Sequence, residues 1–192
     1  GAKVINKAFP GLIPEFNVAL AQNYDNKCDW NDVWYASRKL DGVRCLAVVN
    51  EEGKCTLYSR MGKEFTTLNK VKEAIEATNI INTVFDGEIC LMDKDGNEDF
   101  QGIMKQIKRK DHTIDNPKYV MFDYLTLEEF NSKESEMLLA GRIARFAKLD
   151  VMLKNNSSLS VLEQIVVSDD DHFGALKAKA ENNGYEGVML RK

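Results

Sequence analysis

Residues 33–60 read "VWYASRKLDGVRCLAVVNEEGKCTLYSR". Two runs rich in β-branched and aromatic residues, 33–39 and 43–50, are joined by the turn letters "LDG", and "EEGK" turns the second run into a third, 55–60. Apolar runs of this kind bounded by Gly, Asp and Asn predict strands joined as hairpins. Outward from them, "NTVFDGEICLM" (82–92) and "KYVMFDYLT" (118–126) have the same strand character. Leu68, Val71 and Ile75 lie on one face of a helix predicted over 67–78, with Thr67 as its cap. Further helices are predicted over 100–109, from Glu134 to Leu149, and over 170–182, while "LSVLEQIVV" (159–167) and "YEGVMLRK" (185–192) complete the chain. Strands and helices in this order, without repeats, predict an α+β domain of mainly antiparallel sheets flanked by helices. The first 30 residues, with "FPGLIPEF", read as an irregular lead-in packed on that domain.

The 192 residues, 44% hydrophobic and 29% charged, are enough to bury a substantial core. Lys plus Arg come to 26 against 30 Asp plus Glu, a net charge of −4. That balance gives no general attraction to nucleic acid, so phosphate binding must come from individually placed cations. Cys28, Cys45, Cys55 and Cys90 have no C-x-x-C spacing and predict reduced thiols rather than disulfides or zinc. No stretch approaches 18 apolar residues and the start lacks the apolar core of a signal peptide, so a cytoplasmic protein without a membrane partner is expected.

The pattern K-x-D-G-x-R at 39–44 arises by chance in about one chain of this length in 300. A lysine becomes nucleophilic when desolvation and neighbouring cations disfavour its ammonium form. Lys39 has Arg38 beside it and Arg44 across the turn, Asp41 is an acid near the amine, and Gly42 would let backbone approach a phosphate. A hairpin turn with solvated charges fits the same letters. Elsewhere, "DGE" at 86–88 and Glu186 put carboxylates on strands, where they are costly unless paired or metal-bound. Arg60 ends a strand, and Phe122 stands between apolar neighbours. Singly, Phe122 reads as core and Glu186 as an ion-pair partner. Together, a lysine nucleophile, arginines, carboxylates for a divalent ion and an aromatic plate describe a nucleoside triphosphate site.

In chain order these segments resemble the covalent nucleotidyltransferases: ATP-dependent DNA ligases, RNA ligases and mRNA capping enzymes. "KLDGVR" resembles their motif I, "YSR" motif Ia, "FDGEI" motif III, "VMFDYL" motif IIIa and "EGVMLRK" motif IV. "FPGLIPEFNVALAQNYD" resembles the segment before the nucleotide pocket in tailed-phage DNA ligases. The resemblance implies an ATP-grasp-like adenylylation domain in which Lys39 takes AMP from ATP and passes it to the 5′-phosphate of a DNA nick. It implies ATP or AMP contacts from Ser37, Arg38, Leu40, Arg44, Arg60, Glu88, Phe122 and Met189. Glu186, helped by Glu88, would hold Mg²⁺ or Mn²⁺, and Arg191 would add a cation.

Two departures from the family pattern stand out. Ser37 occupies the place where many cellular ligases carry a Glu that helps read the adenine amino group. The sequence also ends just after motif IV, so residues 1–192 are expected to be an adenylylation domain without motif V and the OB domain. Nicked duplex DNA would then be held through those further domains, with the chain a monomer in the cytoplasm, the host's if phage-encoded. An RNA ligase, a GTP-using capping enzyme and a non-catalytic scaffold are the alternatives.

Overall fold

A computed structural model describes residues 18–25 and 27–192. The "FPGLIPEF" stretch lies outside them. The strands are β1 (Tyr35–Arg38), β2 (Val43–Val49), β3 (Cys55–Ser59), β4 (Thr83–Leu91), β5 (Pro117–Thr126), β6 (Leu159–Val161), β7 (Ile165–Val166) and β8 (Val188–Arg191). The helices are α1 (Asn69–Glu76), α2 (Phe100–Gln106), α3 (Leu127–Ser132), α4 (Leu139–Leu153) and α5 (Asp170–Asn182). A five-stranded sheet runs β3-β2-β4-β5-β6, antiparallel but for the β5–β6 pair, and a three-stranded antiparallel sheet runs β7-β1-β8.

The chain therefore crosses between the sheets at 39–42, from β1 to β2, and at 162–164, from β6 to β7. One face of the large sheet, with Cys45, Ala47, Phe85, Tyr119 and Met121, packs against Val71 and Ile75 of α1, Ile103 of α2 and Phe146 of α4. Its other face carries Cys90, Val120 and Phe122, which cluster with Leu40 and Leu162 from the two crossings. The small sheet is backed by α5, where Phe173 packs on Ala36 and Val167.

Gly87 sits where the β4–β5 register shifts, between the pairs Asp86 with Asp123 and Gly87 with Met121, so that Phe122 is the extra residue of a bulge. The buried Tyr119 ring crosses this glycine, and its hydroxyl donates toward the carbonyls of Cys45 (2.9 Å) and Phe85 (3.0 Å). A Cβ at Gly87 would lie 2.5 Å from the Val120 carbonyl oxygen and 2.6 Å from the Tyr119 ring. Gly87→Ala is therefore expected to destabilise by about 3 kcal/mol through overpacking against backbone. Chemical denaturation checks it: an unchanged midpoint would mean that the bulge relaxes freely.

Two sequence expectations are corrected. Thr67 is not a cap; it is buried and donates through Oγ1 to the Ile107 carbonyl (3.0 Å), while Leu68 holds the N-cap position of α1. The helix expected from Glu134 to Leu149 is displaced to Leu139–Leu153. Before it stands the unforeseen α3, opened by the Thr126–Glu129 capping box and ended by left-handed Lys133, and a serine turn then binds Met137 N–H to Ser135 Oγ (3.1 Å). The 159–167 stretch divides between the two sheets.

Candidate functional site

The crossing from β1 to β2 puts Lys39, Leu40, Asp41 and Gly42 at the junction of the sheets. Lys39 N–H donates to the Gly187 carbonyl (2.8 Å), and its Nζ donates to Glu186, which precedes β8. Motif I and motif IV residues, 147 positions apart, thus meet directly. The Lys39 side chain is 41% exposed and Glu186 45%, so the ion pair lies at the mouth rather than in the core. A Cβ on Gly42 would lie 2.2 Å from the Ile89 carbonyl oxygen, so this glycine serves a close approach to β4, and its N–H donates to Glu88 (3.2 Å).

The expected cations beside Lys39 are each committed to a carboxylate. Arg38 pairs with Glu98, which also accepts from the Asp41 N–H (2.8 Å), and Arg38 lies over the Tyr185 ring at 5.1 Å. Arg44 is held bidentately by Asp86, at 2.6 and 2.5 Å. Burial pushes the Asp86 carboxyl up and the Arg44 pair opposes it. For Arg44 the balance reverses: burial works against its charge, but Asp86 raises it overall. Glu88 stands opposite Arg44 in the β2–β4 register, and its carboxyl is raised by burial. Arg60, one step beyond the Cys45–Ser59 pair, is exposed in the turn after β3 and is not drawn into this network.

Phe122 is buried, 5% exposed, and two guanidiniums lie over its ring, Arg44 at 5.0 Å and Arg191 at 4.3 Å. Ser37 and Met189 face each other across β1 and β8, and Ser37 Oγ accepts from Arg191 (2.8 Å). Arg191 thus bridges Ser37 and Phe122 in the cleft between the sheets, and Met189 adjoins them as the register partner of Ser37. A cavity of about 270 Å³ extends alongside, lined by Ser37, Arg38, Val120, Leu162, Glu163 and Tyr185 among others.

Glu88 and Glu186 are engaged by different partners, and no group of three metal-ligating side chains forms among the described residues. Carboxylates nevertheless crowd the mouth: the Asp41 carboxyl is raised by desolvation and then by Glu186 and Glu98. This hard-oxygen surrounding fits a divalent ion that also takes ligands from a substrate's phosphates. Sequence reasoning missed the pairing roles of Asp86 and Glu98. Asp86 is within the quoted "DGE", but its partner depends on strand register; Glu98 gives no signal beyond its place in a turn.

The family model described as ATP dependent DNA ligase domain matches residues 19–192. The DNA ligase of Enterobacteria phage T4 is 27% identical over 231 residues, covering 98% of this chain and 47% of the relative. That of Haloferax volcanii is 29% identical over 157 residues, covering 80% and 26%. The chain thus spans less than half the length of either relative. Among solved structures, "Pmar-Lig_Pre." superposes with a TM-score of 0.80 at 29% identity, over 99% of this chain and 46% of its own. The ATP complex of the bacteriophage T7 ATP-dependent DNA ligase superposes at 0.62 with 18% identity, over 83% and 56%, a likeness of fold.

Proposed function

Because the chain belongs to the family of ATP-dependent DNA ligase domains, we propose that it is an adenylylating unit that loads Lys39 with AMP for the sealing of nicked DNA. The observation that carries this reading is the contact of Lys39 Nζ with Glu186 at the mouth of the cleft holding Phe122. In the proposed step the ammonium gives up a proton, for which its partial exposure provides an exit. Nζ attacks the α-phosphorus of ATP, a P–N bond forms, and the P–O bond to pyrophosphate breaks. The step depends on positioning and on neutralising charge. Phe122 and Met189 flank the adenine, while Ser37 and Leu40 border it. Arg38, Arg44 and Glu88 surround the ribose and phosphates, and Arg60, exposed in the turn after β3, would have to reach in toward the phosphates. Glu186, with Glu88, would hold Mg²⁺ or Mn²⁺, which when bound offsets the charge of the triphosphate. AMP then passes to the 5′-phosphate of a nick and is displaced by the adjacent 3′-hydroxyl.

The test is incubation with α-labelled ATP or GTP and Mg²⁺, followed by intact mass. A gain of one AMP from ATP only is expected; label from GTP would point to a capping-type enzyme, and no covalent label to a scaffold. Glu186→Ala should slow labelling by on the order of 100-fold at saturating ATP, as for removal of one charge-stabilising group. Raised Mg²⁺ or Mn²⁺ should restore part of it. Wild-type labelling across the metal titration would make Glu186 structural.

A further inference from the structure

Among the arginines of the two-sheet junction, Arg191 differs in its commitments. Arg38 and Arg44 each pair with a carboxylate. Arg191 has no ion-pair partner among the described residues; its side chain meets the Ser37 hydroxyl at 2.8 Å and lies over the Phe122 ring at 4.3 Å. Asp86, Asp123 and Glu88 favour its charge only from longer range. Burial and the nearby Arg44 act against that charge, so this guanidinium is held less firmly than its neighbours. Arg44 also lies over the ring, at 5.0 Å, but is locked to Asp86 by two hydrogen bonds. Of the two cations on Phe122, Arg191 is the one free to leave.

We propose that Arg191 is a built-in occupant of the purine site: its planar guanidinium covers Phe122, pinned by Ser37, and the base must displace it in order to stack. The inference rests on the reading of Phe122 as the base plate. A guanidinium and a purine are both flat and both favour an aromatic face, so one can replace the other. A Ser at position 37 is what gives the occupant its hydroxyl anchor; an acidic residue there would hold it by charge and make displacement harder. Competition of this kind weakens apparent affinity by the fraction of time the ring is covered.

The test is calorimetric titration of the 192-residue chain with adenosine, which has a base to stack and no phosphate to attract a cation. Arg191→Ala and Arg191→Met should each bind adenosine about fivefold more tightly than the unaltered chain, the release of one cation–π contact. Methionine keeps an apolar stem over the ring, so it guards against a loss of fold in the alanine variant, and thermal unfolding reports which variants are folded. Unchanged or weaker adenosine binding in a folded variant overturns the proposal, as does failure of every form to bind adenosine. Lys39 labelling separates the two readings: label without the gain in adenosine affinity sinks the occupant alone, and absence of label with the gain present sinks the adenylylation reading alone.

Discussion

Lys39→Met is expected to take up no AMP. The substitution removes the amine and keeps a long apolar stem, so a phosphoramidate can no longer form at this position. Labelling with ATP should fall to background, while stability changes by no more than about 0.5 kcal/mol. The second expectation follows from exposure: Lys39 is 41% exposed and its partner Glu186 45%, and ion pairs so open to water contribute little to folding. The measurement is intact mass together with denaturant unfolding of the same preparation. Persistent label would move the nucleophile elsewhere, and a large stability loss would make the lysine a structural element.

The place of this lysine in a short turn between two strands was legible in the sequence because its setting is local. Lys39, Asp41 and Gly42 occupy one crossing between sheets, and the letters of a short turn survive any error in the boundaries of the strands around it. Strand positions in 43–60 were legible for the same reason, since alternation and turn residues are short-range signals. What Lys39 faces was less so. The expectation that Arg38 and Arg44 act on the amine as free cations does not hold, because Glu98 and Asp86 take them up. Asp86 reaches Arg44 because Leu46 pairs with Asp86 and Arg44 with Glu88, a register that no single segment encodes. Thr67 was misread likewise: its letter is a good cap, but α2 presents the Ile107 carbonyl to it from 40 residues away. The core role of Phe122 is visible, since its ring is buried at a bulge and clusters with Leu40 and Leu162, while its role as a plate belongs to the proposed function.

The pair Arg44–Asp86 is where folding and the proposed chemistry meet, and it gives the largest expected effect on stability. Both side chains are mostly buried and joined by two short hydrogen bonds. Asp86→Ala leaves a buried guanidinium without its carboxylate and should destabilise by about 3–5 kcal/mol. Arg44→Met leaves the carboxylate instead, and here pH separates the two cases. Burial already raises Asp86 with Arg44 present, and without the arginine the carboxyl rises further. A carboxyl whose folded pKa exceeds its unfolded value binds the proton more tightly when folded, so stability is retained at low pH and lost as pH rises through the folded pKa. Arg44→Met should therefore be more stable near pH 5 than near pH 8, whereas Asp86→Ala, which retains only a guanidinium, gains nothing from acid at this site. Replacing both, as Arg44→Met with Asp86→Leu, removes both buried charges and should recover most of the stability. Urea unfolding of the three variants across pH decides it. If Arg44→Met shows no preference for acid, or if the double variant is as unstable as the sum of the single ones, the two residues fold independently and the bidentate contact does not govern this part of the sheet.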